Sequence, residues 1–252
     1  MIINQSAGPL FETVSVFFLV KQIFLREYNA GMYSSLTYYL CTFIVTGLLQ
    51  PLYTLIFCGI IYPMVGLRPG AQYFFMLYLA LLLCKYCALS LAFLIGTTFS
   101  KIQYSQIISP IILYILILFG GLYINLNNIN DVLKSIQYID FVRYAYQILV
   151  NNEFVGQTYQ CIASNCPVSG QQIVDELGLG VKTLAIPIIA IISITIILSI
   201  CAAIMIKIRI PKFKQLKPIQ NNSDKDLSVK ESPSEKYLDI EESSKEEQRI
   251  NV

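Results

Sequence analysis

The sequence predicts an all-α integral membrane protein with five spanning helices and a short external helix pair that dips back toward the outer leaflet. Three observations carry this. The 252 residues are 55% hydrophobic and only 13% charged, against about 45–50% and about 25% in an ordinary soluble domain. The charge is gathered at one end: residues 207–252 hold 10 of the 18 Lys and Arg and 9 of the 16 Asp and Glu. Along the remainder, charge-free apolar runs recur at the length of about 20 residues that a hydrocarbon core of about 30 Å requires.

Taken in order, the first span covers about residues 4–20 and carries Glu12. It does not read as a signal peptide, because no Lys or Arg precedes it and a carboxylate lies inside it. The second, about 39–64, is the apolar part of the charge-free stretch from Tyr28 to Leu67. The third, about 71–99, is interrupted by Lys85, and the fourth, about 102–126, follows Lys101. The fifth, about 183–206, is Ile-rich and lies between Lys182 and Lys207. The external segment is 127–182. Within it, Val132, Leu133, Ile136, Ile139, Val142, Ala145 and Leu149 recur at mixed helical spacing between scattered charges, the pattern of the short helix pair.

Orientation follows from the cations at the helix ends. Lys207, Arg209, Lys212, Lys214 and Lys217 directly follow the last span, which puts the C-terminal tail in the cytosol. Alternate crossings then place the external segment outside, where Lys134, Arg143 and Lys182 are outnumbered by Asp131, Asp140, Glu153, Asp175 and Glu176. Residues 1–209 form the membrane domain on this reading. Residues 210–252, rich in Ser, Lys and Glu, form a disordered cytosolic tail, since such composition buries too little apolar surface to fold alone. Its basic half is suited to anionic lipid headgroups.

Composition also excludes chemistry. With no histidine there is no Ser-His-Asp or Cys-His arrangement and no His-based metal site. No glycine-rich phosphate loop occurs, so the chain holds no nucleotide in that way, and no basic face with interleaved aromatics points to nucleic acid. No catalytic residue and no metal site are assigned. Five of the seven cysteines fall in spanning helices and read as small packing residues, whereas Cys161 and Cys166 lie in the external segment, where an oxidising compartment favours a disulfide within or between chains. Two intramembrane charges remain. Lys85 reads either as a contact for an anionic substrate group or a polar relay, or as a lysine paired structurally with Glu12 or snorkelling along the bundle. No polar stripe through the helices is evident in the sequence, which disfavours a passive scramblase or channel.

Several runs occur in order: Arg26-Glu27-Tyr28-Asn29-Ala30-Gly31-Met32-Tyr33, Ile61-Tyr62-Pro63-Met64-Val65-Gly66-Leu67 with Phe74-Phe75, Phe119-Gly120-Gly121-Leu122, Arg143-Tyr144, and Asn152-Glu153-Phe154-Val155-Gly156 followed by Cys161. Together they resemble subfamily G (White-type) ATP-binding-cassette transporters. The resemblance covers about residues 4–209. It implies an ABC-2-type transmembrane domain, like that of type V exporters, of which this chain holds helices two to six without the nucleotide-binding domain, linker and first helix. It implies an ATP-driven exporter of lipids, sterols or other amphipathic molecules working by alternating access. ATP and magnesium would sit on a nucleotide-binding domain supplied in cis or in trans, and a second half-transporter, like or unlike, would complete a dimer in the plasma membrane or an endomembrane. A different reading is a truncated assembly or regulatory partner without transport activity of its own. The resemblance further implies a short cytosolic connecting helix at about 24–34, whose Arg26, Glu27, Gly31 and Tyr33 couple to nucleotide-binding-domain closure. It implies a substrate cavity lined by Asn4, Tyr114, Ile117 and Phe119. An outer valve would fall at Leu122 and Tyr123, where the family often has a pair of leucines.

Overall fold

In a computed structural model of the chain, the residues described are 1–121, 123, 137–159, 168–181 and 183–209. All of them belong to one unit, Met1–Lys212; the second unit, Phe213–Val252, lies outside the described residues, as does the rest of the tail from residue 210.

Chain order gives α1 (Ile2–Asn29), α2 (Ser35–Leu48), α3 (Gln50–Val65), α4 (Ala71–Thr98), α5 (Ile102–Phe119), α6 (Phe141–Phe154), α7 (Gly170–Glu176) and α8 (Ala185–Arg209). A two-residue antiparallel pair, Thr158–Tyr159 with Val168–Ser169, is the only strand structure among the described residues. Five stretches are long and apolar enough to cross a bilayer: α1, α2 with α3, α4, α5 and α8. The all-helical membrane fold expected from the sequence is therefore observed.

The bounds differ from expectation in instructive ways. The first helix does not stop at Val20 with a separate connecting helix at 24–34; α1 continues to Asn29. Lys21, Gln22, Leu25, Arg26 and Glu27 are all good helix formers, so the charges of Lys21, Arg26 and Glu27 end the apolar run without ending the helix. The chain turns only at Ala30-Gly31, where Gly31 takes φ +75°. The fourth span closes at Phe119 rather than at residue 126, because Gly120 and Gly121 follow and Gly121 has φ +85°.

The second span is broken at Leu49 into α2 and α3. Pro51 has no N–H, so the Gly47 carbonyl four residues earlier loses its helical donor. The Leu49 N–H and the Tyr86 hydroxyl of α4 take its place, the latter donating to Gly47 O at 3.0 Å. In lipid, where no water can repair a lost backbone bond, such a substitute is what makes the break tolerable. Tyr78 similarly donates to Pro51 O at 3.3 Å.

α4 is the axis of the bundle, packed by α1, α8, α6 and α3. Its small residues Ala80, Cys84, Cys87, Ala88 and Ala92 are fully buried and let neighbouring backbones approach. Gly96 is one place where nothing larger fits, since an added Cβ would lie 2.7 Å from the Phe17 ring of α1. Ser90 and Ser199 share a hydroxyl bond of 3.0 Å between α4 and α8. The cysteines of α3 and α4 (Cys58, Cys84, Cys87) are buried and free.

Candidate functional site

Two ends and one cavity open at the surface of the bundle hold the polar residues that a membrane bundle would not otherwise keep. At the first end lie the α1–α2 turn, the α4–α5 turn and the end of α8, and with them Lys21, Arg26, Lys101, Lys207 and Arg209. Glu27 accepts a short hydrogen bond from the Tyr33 hydroxyl, and its carbonyl accepts from Met32 N at 3.2 Å. Burial and this contact push the Tyr33 phenol up to about 12, so it remains a donor at any physiological pH. The Tyr33 ring stacks with Phe24 and Tyr38, and Phe24 lies 3.9 Å from Tyr38 between ring centroids. Ser34 then caps α2 by accepting from Thr37 N. The turn is thus a fixed knuckle from which Arg26 projects, exposed.

At the opposite end the α3–α4 turn is clamped by α6. The Glu153 carboxylate accepts from Arg68 N at 3.0 and 3.3 Å, and the Arg68 guanidinium donates to Val155 O at 3.0 Å while lying 4.2 Å from the centre of the Tyr73 ring. Asn152 donates to Tyr73 O at 3.1 Å, and Asn151 to Leu179 O at 2.9 Å. The run Asn152-Glu153-Phe154-Val155-Gly156 is therefore a structural clasp. Sequence reasoning gave Arg68 no role. Its signal was a single cation at the edge of a charge-free stretch, with the partner 85 residues away.

The N-terminus of α6 is buried beside the end of α5. Asp140 caps it, accepting from Val142 N at 2.8 Å, and its second oxygen has no hydrogen-bond partner. Burial raises this carboxyl, which lies outside the spanning helices, to about 7; the Val142 and Arg143 amides and the Arg143 charge pull in the opposite direction.

Between α1, α3 and α4 opens a cavity of about 320 Å³, lined by Asn4, Gln5, Glu12, Tyr53 and Lys85 among others. Lys85 is only 7% exposed. Its ammonium donates to Thr54 Oγ1 at 3.3 Å and lies 5.9 Å from the centre of the Tyr53 ring. No ion pair joins it to Glu12 among the described residues, although both line the same space. Gln5 is 6% exposed, and its Oε1 has no hydrogen-bond partner. Asn4, Gly8, Glu12 and Ser15 fall at helical spacing along one side of α1, and Gln106 of α5 donates to Ser15 Oγ at 3.4 Å. Asn4, Glu12 and Ser15 thus share one side of α1.

The remaining residues singled out from the sequence separate. Asn4 lines this cavity, whereas Tyr114, Ile117 and Phe119 of α5 do not; Tyr114 is exposed, Ile117 is buried in the bundle core, and Phe119 is half-buried. Tyr123 is exposed. Leu122, Cys161 and Cys166 lie outside the described residues. Among the described residues no cluster of His, Cys, Asp or Glu could hold a metal ion.

Comparison with known proteins gives this arrangement its context. The sequence profile of the ABC-2 type transporter family matches residues 1–154. The chain is 27% identical over 211 residues to Protein white of Drosophila melanogaster, covering 82% of this chain and 31% of that protein. It is 29% identical over 188 residues to ABC transporter G family member 1 of Dictyostelium discoideum, covering 71% and 24% respectively. It is 31% identical over 169 residues to the bovine Broad substrate specificity ATP-binding cassette transporter ABCG2, covering 62% and 26%. The chain thus spans less than a third of the length of each. Four of the five spanning helices, the Arg26–Tyr33 knuckle and the first residues of the Asn152–Gly156 clasp fall within a family profile that covers more than half of the sequence: the chain belongs to the ABC-2 type transporter family, with White and G-family transporters among its relatives.

Proposed function

We propose that this chain is the transmembrane part of an ATP-driven exporter that moves lipids, sterols or other amphipathic molecules across a membrane by alternating access. The observation that carries the reading is the rigid α1–α2 knuckle. Glu27, Tyr33, Phe24 and Tyr38 lock the turn to the end of a 28-residue helix, so a push on exposed Arg26 and its neighbours is delivered along α1 to the cavity it lines. The helices supply no catalytic group. Their task is to bind substrate with different strength in inward- and outward-facing states, the difference being set by which state the knuckle favours.

ATP and magnesium belong on a nucleotide-binding domain, carried in cis or by a partner, since this sequence has no phosphate-cradling glycine loop. A second half-transporter completes the dimer. The five cations at the knuckle end support a cytosolic location for that end and for the C-terminal tail. Cys161 and Cys166 then face an oxidising compartment and pair in a disulfide, visible as a mobility change in non-reducing electrophoresis that Cys161→Ser abolishes.

The test is reconstitution of the chain with its nucleotide-binding partner in vesicles, following a fluorescent sterol or lysolipid. Movement that needs ATP, and that Glu27→Ala slows while ATP hydrolysis continues, is the expected result. Movement indifferent to ATP overturns the reading.

A further inference from the structure

We infer that the cavity between α1, α3 and α4 is a binding site for a zwitterionic amphiphile, with the ligand's anionic group on Lys85 and its cationic group near Glu12. The inference deepens the transport reading and rests on it for its physiological purpose. The binding it describes is measurable without transport.

The argument begins with the cost of the two charges. A lysine and a glutamate inside a bilayer are each expensive unless paired or wetted, and the simplest remedy is a direct ion pair between them. The structure does not take it. Lys85 is turned to the Thr54 hydroxyl and toward the Tyr53 ring, Glu12 is exposed, and an open space of about 320 Å³ lies where both are lining residues. A purely anionic occupant would satisfy Lys85 and leave Glu12 facing it unfavourably; a purely cationic one would do the reverse. An occupant carrying both signs satisfies the two charges together.

Gln5, 6% exposed, borders the same space with its side chain packed against protein. Along α1, exposed Asn4, Gly8 and Glu12 repeat every four residues from the α3–α4 turn end toward mid-helix. Asn4 and Glu12 thus offer a headgroup two polar side chains on one side of the helix, with Gly8 leaving room between them. Exposed Phe11 and Tyr53 on either side leave an acyl chain in contact with apolar surface.

The sequence contains no tryptophan, so Tyr53→Trp provides a single fluorescent reporter in the cavity wall. The full chain carrying it is placed in lipid nanodiscs and titrated with four brominated single-chain quenchers: lysophosphatidylcholine, a fatty acid, an alkyl trimethylammonium and a monoacylglycerol. Lysophosphatidylcholine is expected to reach half-maximal quenching at a concentration about tenfold lower than the monoacylglycerol. Glu12→Gln shifts the preference toward the fatty acid, and Lys85→Met shifts it toward the alkyl trimethylammonium. Equal quenching by all four probes, or an unchanged ranking in Glu12→Gln, overturns the inference. Because Glu12 is exposed, that variant keeps the test decisive if Lys85→Met fails to fold. Selective binding without ATP-dependent movement would leave the site standing and remove the transport reading; movement without selective binding would remove the site alone.

Discussion

α4 and α8 are similar in length, 28 and 25 residues, and both read as membrane spans, yet 72% of the most apolar stretch of α4 is buried inside the protein against 11% of that of α8. The more hydrophobic of the two is the more exposed. Lipid tails are as apolar as any side chain, so burial against protein brings no transfer gain in a bilayer, and close packing decides which helix goes inside. α4 is built for packing, with Ala80, Cys84, Cys87, Ala88, Ala92 and Gly96 admitting its neighbours. α8 is largely isoleucine, and Ile189, Ile196, Ile197, Ile200 and Ile204 face away from the bundle. Lys85 belongs to the same contrast, because only a helix sheltered by protein holds a lysine at its centre.

Substitutions test that contrast, beginning where the effect is largest. Phe93→Ala removes a buried α4 ring that meets Phe17, Tyr39 and Phe43, and the cavity left behind lowers stability by about 3 kcal/mol. Thermal unfolding in detergent measures it, and an effect no larger than that of Ile197→Ala would break the comparison. Glu153→Ala releases Arg68 N and loosens the clasp by about 2 kcal/mol; hydrogen exchange at the Arg68 amide, faster by more than tenfold, is the readout.

Asp140 sharpens the comparison through pH. Burial raises its carboxyl from 3.8 to about 7, so between those values the folded protein holds a proton that the unfolded chain has released. Stability from this group is full below about pH 4 and declines as pH rises through about 7. Asp140→Asn removes that decline, and melting temperatures collected from pH 4 to pH 8 should show a flatter profile. The smallest effect is expected in α8: Ile197→Ala, at a lipid-facing position, changes stability by less than about 0.5 kcal/mol.

The five spans were legible because the charge-free runs are a direct record of what lipid tolerates. Their ends were less so. Lys21, Arg26 and Glu27 stop an apolar run while α1 continues to Asn29, since helix propensity and hydropathy answer different questions. The break at Leu49 was prepared by Pro51, but its repair depends on Tyr86, 39 residues away. The knuckle residues Arg26, Glu27, Gly31 and Tyr33 were singled out through their motif. Gln5 was missed altogether, for nothing in a single sequence distinguishes an amide buried against protein from one facing solvent. Glu12 and Lys85 were singled out individually, and only the fold shows that they line a common space and leave it open.

The proline break in the second span has one more implication. Ser35–Val65 comprises 31 residues, about 46 Å of helix if straight, whereas the hydrocarbon core is about 30 Å thick. A rigid rod of that length must tilt steeply or stretch the bilayer around it. Two shorter rods joined at Leu49, where the Tyr86 hydroxyl donates to the Gly47 carbonyl beside the Leu49 N–H, meet that mismatch with a bend in place of a tilt. Membrane thickness thereby becomes an input that this span registers as bending.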